Sequence, residues 1–292
     1  MMKRRPVIIL ILTLTFGGSG IYFTQRSINA EMGLHRQTEE ALYLPSGEMI
    51  KRLSFGVEAV VADLYWLRTV QYYGQRAFRP GQRLELLDPL LDIITTLDPH
   101  FIVAYQFGAV FLALPPPGGP GQPEKAIALL SRGIEHNPES WRLQVDKGFV
   151  YAWDLHEYQK AAEVFEQASR LPKAPSWLAA VAAGMYTKAG RREAARRIWQ
   201  DRYENAENER LREIAARQLA ALRALDMIEQ LEALIAKYHQ RVGRMPHSWQ
   251  ELIAAGLLRR VPVDPYGFVY QLDSETGTVR PAPGTPLVLP RL

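Results

Sequence analysis

The feature that most constrains this chain is an internal repeat. Phe101, Trp141 and Trp177 open three segments set 40 and then 36 residues apart. The first reads FIVAYQFGAVFLAL, a Pro/Gly loop, then EKAIALLSRGIEHNP. The second reads WRLQVDKGFVYAWDLHEYQKAAEVFEQASRLP and the third WLAAVAAGMYTKAGRREAARRIWQ. Each segment is a pair of helical patterns joined by a short turn. One such pair cannot bury its apolar face alone, whereas stacked neighbours build a continuous core. Small and large residues recur at fixed places within the pairs. Small residues let two helices approach, and a large residue one turn away fills the hole beside them. A proline then stops the second helix, because it lacks an amide donor and clashes with the preceding turn.

These positions carry a resemblance to the tetratricopeptide repeat family. In the second segment Gly148 and Tyr151 occupy the first helix, and Ala161, Phe165, Ala168 and Pro172 the second. In the third, Ala183, Tyr186, Ala195 and Trp199 keep the family's spacing of three, nine and four. In the first, Ala126, Leu130, Gly133 and Pro138 keep its spacing of four, three and five, with Gly108 a small packing residue of the leading helix. There are departures. One extra residue lies between Tyr151 and Ala161, and the first segment carries an insertion, PPPGGPGQP, over Pro115 to Pro123. An earlier run, Leu87, Leu91, Ile94 and Pro99, keeps only apolar character. With SFGVEAVVADLYWLRTVQYY before it, it reads as a degenerate leading repeat. The resemblance covers about residues 50–205 and implies an all-α helical-repeat solenoid over 31–205. A generic helical bundle is the alternative. The family's first helices line a groove that takes protein segments, so the resemblance implies Gln106, Gln144, Lys147, Tyr151 and Ala180 as partner-binding residues.

The N-terminus points to a membrane. Lys3, Arg4 and Arg5 precede an uncharged stretch from Pro6 to Thr24. About 17–25 apolar residues span a bilayer as a helix, and flanking cations stay on the cytoplasmic side. Residues 1–30 therefore read as an anchor, with the bulk of the chain on the periplasmic side of a bacterial inner membrane. The competing reading is a cleaved signal peptide, with Ala30 at the cleavage point. Both export the rest of the chain. A buried helix of a soluble chain is a third possibility, disfavoured by three adjacent cations before a charge-free run.

Beyond the repeats, a continuous helical pattern runs from about Glu204 to Val242; its part over 206–242 reads as a long capping helix, with a partner-binding face as the equal alternative. From Gly243 the style changes to a small helix and β-hairpin module over 243–282. Ser248 and Glu251 form a capping-box pattern, and Gly256 marks the helix end. Phe268 to Leu272 and Thr278 to Arg280 alternate like strands around a loop at Asp273 to Gly277. Gly243, Pro246, Leu258, Pro262, Asp264, Pro265, Gly267 and Tyr270 resemble a segment of type II secretion pseudopilins. The N-terminus lacks the pilin processing site and its glutamate, so the chain is no pilin. Asp264 suits a turn cap, with calcium, as in some pseudopilin loops, the alternative. The proline-rich tail 283–292 reads as disordered.

Reactive chemistry is hard to find. There is no cysteine, hence no thiolate nucleophile, disulfide or thiolate metal site. The six histidines lack ligand spacing, and His156 with Glu157 lacks the second histidine of a zincin helix. Gly118, Gly119 and Gly121 before Lys125 are interleaved with prolines that remove the amides a phosphate loop needs. The net charge of +4 is weak. Arg191, Arg192, Arg196, Arg197, Arg202, Arg210, Arg212 and Arg217 are balanced by Glu193, Asp201, Glu204, Glu207, Glu209 and Glu213, which disfavours nucleic acid. The expected chain is no enzyme and takes no cofactor, metal or small-molecule substrate. It is a membrane-tethered adaptor that binds other proteins in a cell-envelope assembly such as a pilus, secretion or transport complex. The alternative is a permanent structural subunit of a larger membrane complex.

Overall fold

A computed structural model describes residues 44–79, 81 and 83–290. The anchor expected over 1–30 lies outside these residues. Among the described residues, no helix is long and apolar enough to cross a membrane. The described chain is mostly helical, with one small two-stranded sheet near its C-terminus. It divides into two compact units, one holding 44–104 with 114–121, the other 105–113 with 122–290.

The first unit is built from α1 (Gly47–Leu53), α2 (Glu58–Arg76) and α3 (Leu87–Leu97). Ser46 caps α1, its hydroxyl accepting from the Met49 amide at 3.3 Å. Phe55 and Gly56 turn the chain with positive φ. The apolar pattern of α3 is the unit's core: Leu87, Leu90, Leu91, Ile93, Ile94 and Leu97 are buried. Gly47 is small because α1 meets α3 there. A Cβ added to it would lie 2.8 Å from the Thr96 Cβ. The insertion folds onto this unit, where the Tyr73 hydroxyl donates to the Gly118 carbonyl at 2.7 Å and the Phe78 amide to Pro117 at 2.7 Å.

Helix α4 (Ile102–Ala113) opens in the first unit and continues into the second. There follow α5 (Pro123–His136), α6 (Trp141–Phe149), α7 (Tyr158–Ser169), α8 (Trp177–Lys188), α9 (Arg192–Glu204) and α10 (Glu209–Val242). Small residues sit under large ones. A Cβ at Gly133 would lie 2.8 Å from the Tyr105 ring, and one at Gly148 would lie 2.8 Å from the Phe165 ring. Around Phe165, the residues Val145, Ala152, Ala161, Ala168, Leu178 and Ala182 close a buried cluster shared by α6, α7 and α8. A second cluster joins α7, α8, α9 and α10 through Ala162, Ala183, Tyr186, Ala195, Trp199, Ala215 and Leu219.

The extra residue between Tyr151 and Ala161 has a structural form. After α6 the chain widens into a π-helical turn, Val150–Asp154, whose ring closes with Leu155 donating to the Val150 carbonyl at 3.1 Å. A π turn absorbs one added residue without breaking the helix. The helical pattern expected to run unbroken from about Glu204 is interrupted. Helix α9 ends at Glu204, and Asn208 caps α10 by accepting from the Leu211 amide at 3.0 Å. Asn competes for backbone donors and so favours a new helix start over continuation.

The C-terminal module docks on α10. It comprises α11 (Trp249–Ala254), β1 (Gln271–Leu272) and β2 (Val279–Arg280), the strands pairing antiparallel with Leu272 opposite Val279. Leu231, Ile235 and Tyr238 of α10 share a core with Trp249, Leu252, Tyr270 and Val279. The Trp249 indole donates to the Tyr270 carbonyl at 2.8 Å, and the Val279 amide donates to Glu232 at 3.0 Å. Two expectations change here. The Ser248 side chain makes no cap bond. Glu251 instead accepts from the Tyr238 hydroxyl at 2.7 Å and Arg244 at 2.8 Å, so tertiary partners win over the local box. The tail, expected to be disordered, is tied down as far as residue 290. Leu287 is buried in the module core, with Leu289 packed against it.

Asp264 explains how the tail is held. Its Oδ1 accepts from the Tyr266 and Phe268 amides, both at 2.9 Å, and its Oδ2 from the Thr285 hydroxyl. Burial pushes its carboxyl up, but the bonds from Thr285, Phe268, Tyr266 and Gly267 outweigh that and hold it below its ordinary value. A depressed folded pKa means the stabilisation is present above the unfolded value near 4 and is lost as pH falls through the folded value. Asp264→Asn should therefore flatten the acid limb of stability below about pH 4. At neutral pH, Asp264→Ala should cost about 2–3 kcal/mol by orphaning buried donors. Urea melts between pH 2 and 7 check both, since a variant whose acid limb matches the parent contradicts the assignment.

Candidate functional site

The residues expected to meet a partner lie on successive leading helices of the second unit. Gln106 is on α4, Gln144 and Lys147 are on α6, Tyr151 lies in the π turn and Ala180 is on α8. All five are half-buried. Gln106 is brought against α6, its amide donating to Asp146 Oδ2 at 2.6 Å. Asp146 was not singled out from the sequence, because its partner lies 40 residues away. Burial pushes its carboxyl up, partly offset by the Gln106 bond. Burial pulls the neighbouring Lys147 amine down, partly offset by Glu135. A carboxylate and an ammonium, each incompletely solvated, thus sit side by side on α6. A partner supplying opposite charges gains more there than at a fully hydrated surface.

Tyr151 packs against the Phe165 cluster, and Lys160 Nζ lies 5.6 Å from its ring centroid. The π turn also brings out Trp153, 64% exposed and stacked on Phe149 at 4.2 Å. Exposed indole on a rigid support is a common partner anchor. In the sequence Trp153 stands in an aromatic run with Trp141, Tyr151 and Tyr158, which core packing or a binding groove would both explain; its exposure separates the two. Ala180 packs at the edge of the α7–α10 core. The repeat-packing residues sit inward: Gly108, Ala126, Gly148, Ala161, Phe165, Tyr186, Ala195 and Trp199 are all buried.

No protein-family model, curated protein or solved structure matches this chain. The site therefore rests on its own geometry.

A depression lies among α7, α8 and α9, lined by Glu166, Arg170, Ala179, Arg197, Ile198 and Asp201. Glu166 accepts from the Tyr186 hydroxyl at 2.7 Å and pairs with Arg170. Burial first, then the Glu166 bond, pushes the Tyr186 phenol up to about 12. This tyrosine is a fixed donor rather than a proton carrier near neutral pH. Two arginines of the basic run on α9 pair with acids of α10. Arg192 bonds Asp226 at 3.2 Å and also Glu229, and Arg196 bonds Asp226 and Glu193. These cations brace the two helices and offer little free charge to a polyanion. Among the described residues, no group of three or more His, Asp or Glu side chains could hold a metal ion.

Proposed function

We propose that this chain is a single-pass, membrane-anchored scaffold. Its helix pairs, tetratricopeptide-like in their packing, form a solenoid that holds segments of other proteins on the periplasmic side of a bacterial inner membrane. This reading assigns it no reaction, no cofactor and no nucleic acid. The observation that carries it is the row on the leading helices: half-buried Asp146 and Lys147 beside Gln106, Gln144 and Tyr151, with Trp153 stacked at the π turn. The small-against-large fit beneath, Gly148 on Phe165 and Gly133 on Tyr105, makes the support rigid. Polar and aromatic groups on a rigid face capture extended segments well, because little of the site's own freedom is lost on binding. Tethering raises the local concentration of whatever is held near the membrane. A cell-envelope assembly is the natural setting.

The test is affinity capture from envelope membranes in mild detergent, comparing the parent with Gln144→Ala/Lys147→Glu/Trp153→Ala. Captured partner is expected to fall at least about tenfold, the scale of a lost hot spot, with the thermal midpoint nearly unchanged. Equal capture by the variant contradicts the proposal. A partner in fixed stoichiometry that ignores these substitutions supports the second reading, a permanent structural subunit. That reading draws on α2, which leaves Val60, Leu64 and Leu67 each more than half exposed.

A further inference from the structure

Helix α2 carries an uncovered seam. Val57, at the N-cap of α2, and Val60, Leu64, Leu67 and Gln71 within it recur at alternating steps of three and four. The first four are 54%, 58%, 61% and 57% exposed. On the opposite side of the helix Ala62 and Thr69 are fully buried in the first unit's own core. The spacing is that of a two-helix seam, in which alternate apolar residues insert between residues of a facing helix. Val70, 41% exposed, adds an apolar residue on the Asp63 side of the seam.

The charges beside the seam choose the occupant. Asp63 precedes Leu64 on one flank, and Arg68 follows Leu67 on the other. Both are exposed, and neither makes an ion pair among the described residues. In a parallel, in-register pair of identical helices, the flank of one seam faces the opposite flank of its partner five residues on. Asp63 of each copy then meets Arg68 of the other, twice by symmetry. Antiparallel pairing faces like flanks together, setting aspartate near aspartate and arginine near arginine. The pattern thus favours one partner and one direction.

We propose that the chain forms a parallel homodimer through α2, with Val57, Val60, Leu64 and Leu67 in the seam and Asp63–Arg68 pairs across it. The helix is already folded on its own core, so pairing does not bear the cost of helix nucleation. The inference rests on α2 alone and stands whether or not the repeat helices hold partners.

The chain has no cysteine, so single introduced thiols report cleanly. In the full chain in mild detergent, Val60→Cys and Leu67→Cys should each cross-link to their own counterpart under oxidation. Each should do so about tenfold faster than Ala59→Cys, which lies off the seam, because only seam positions bring Cβ atoms within disulfide reach. Asp63→Arg and Arg68→Asp should each weaken the dimer roughly tenfold, and the double reversal should recover it to within about threefold. Helicity and melting midpoint of each variant separate lost pairing from lost fold, and the surface charge reversals serve if a cysteine variant folds poorly. A monomer whose seam thiols react no faster than Ala59→Cys overturns the proposal. So does cross-linking at only one seam position, which marks an antiparallel crossing, or a double reversal that recovers nothing. A different chain or detergent-resistant lipid covering the seam in place of a second copy overturns it as well.

Discussion

Phe165→Ala is expected to cost the second unit about 3–5 kcal/mol, the usual range for deleting a buried aromatic ring. The ring is fully buried at the junction of α6, α7 and α8, against Gly148 on one side and Phe149 edge-on at 5.2 Å. Its loss opens a cavity where three helices meet, so neighbours cannot collapse to fill it without shifting a helix. Gly148→Leu attacks the same joint from the other side. Its Cβ would begin 2.8 Å from the ring, and overpacking of this kind costs about 1–3 kcal/mol. The two changes together should be less damaging than their sum, because leucine occupies part of the space the ring leaves. Chemical denaturation of the four proteins in a double-mutant cycle measures this. A coupling energy below about 0.5 kcal/mol, the level found for independent sites, would mean that the helices do not meet at this pair.

Trp249→Ala carries the second large effect, again about 3–5 kcal/mol. The indole is buried between α10 and the hairpin, and its N–H serves the carbonyl of buried Tyr270. Removing it empties the centre of the module core and orphans that acceptor. Trp249→Phe keeps most of the bulk but loses the donor, and should cost roughly 1–3 kcal/mol. Limited proteolysis gives an independent readout. In Trp249→Ala, tryptic cleavage after Arg259 and Arg260 should accelerate while sites on α6 to α9 stay protected. Uniform acceleration along the chain would show that the module is integral to the repeat core rather than seated on α10.

Much of the fold is visible in the residues because helix pairs write their contacts as a size pattern. Gly133, Gly148, Ala161 and Ala195 had to be small wherever Tyr105, Phe165 and Trp199 were large, and that alternation can be read without coordinates. The turn chemistry was equally open, as at Gly243 and Gly256, which end α10 and α11 with positive φ. What escaped was whatever depends on distant partners. Asp226 draws Arg192 and Arg196 to α10 across 34 and 30 residues, so two arginines of a run that reads as a charge-balanced surface brace α9 to α10. Asp146 becomes notable only once Gln106 reaches it. The tail looked disordered because proline-rich composition says nothing of Thr285 reaching Asp264 or of Leu287 finding a core. The stretch SFGVEAVVADLYWLRTVQYY reads in sequence either as part of a degenerate leading repeat or as a face for another subunit, and only the exposure of Val60, Leu64 and Leu67 separates a helix buried in its own unit from one that keeps a face for another chain.

The most direct test of a scaffold acting through its leading helices is hydrogen exchange on the full chain in detergent, with and without its captured partner. The account predicts slowed exchange in α6, the π turn over Val150–Asp154 and the start of α8, with α10 and the C-terminal module unchanged. Protection confined to the C-terminal module, or absent from α6 while a partner is bound, would contradict it.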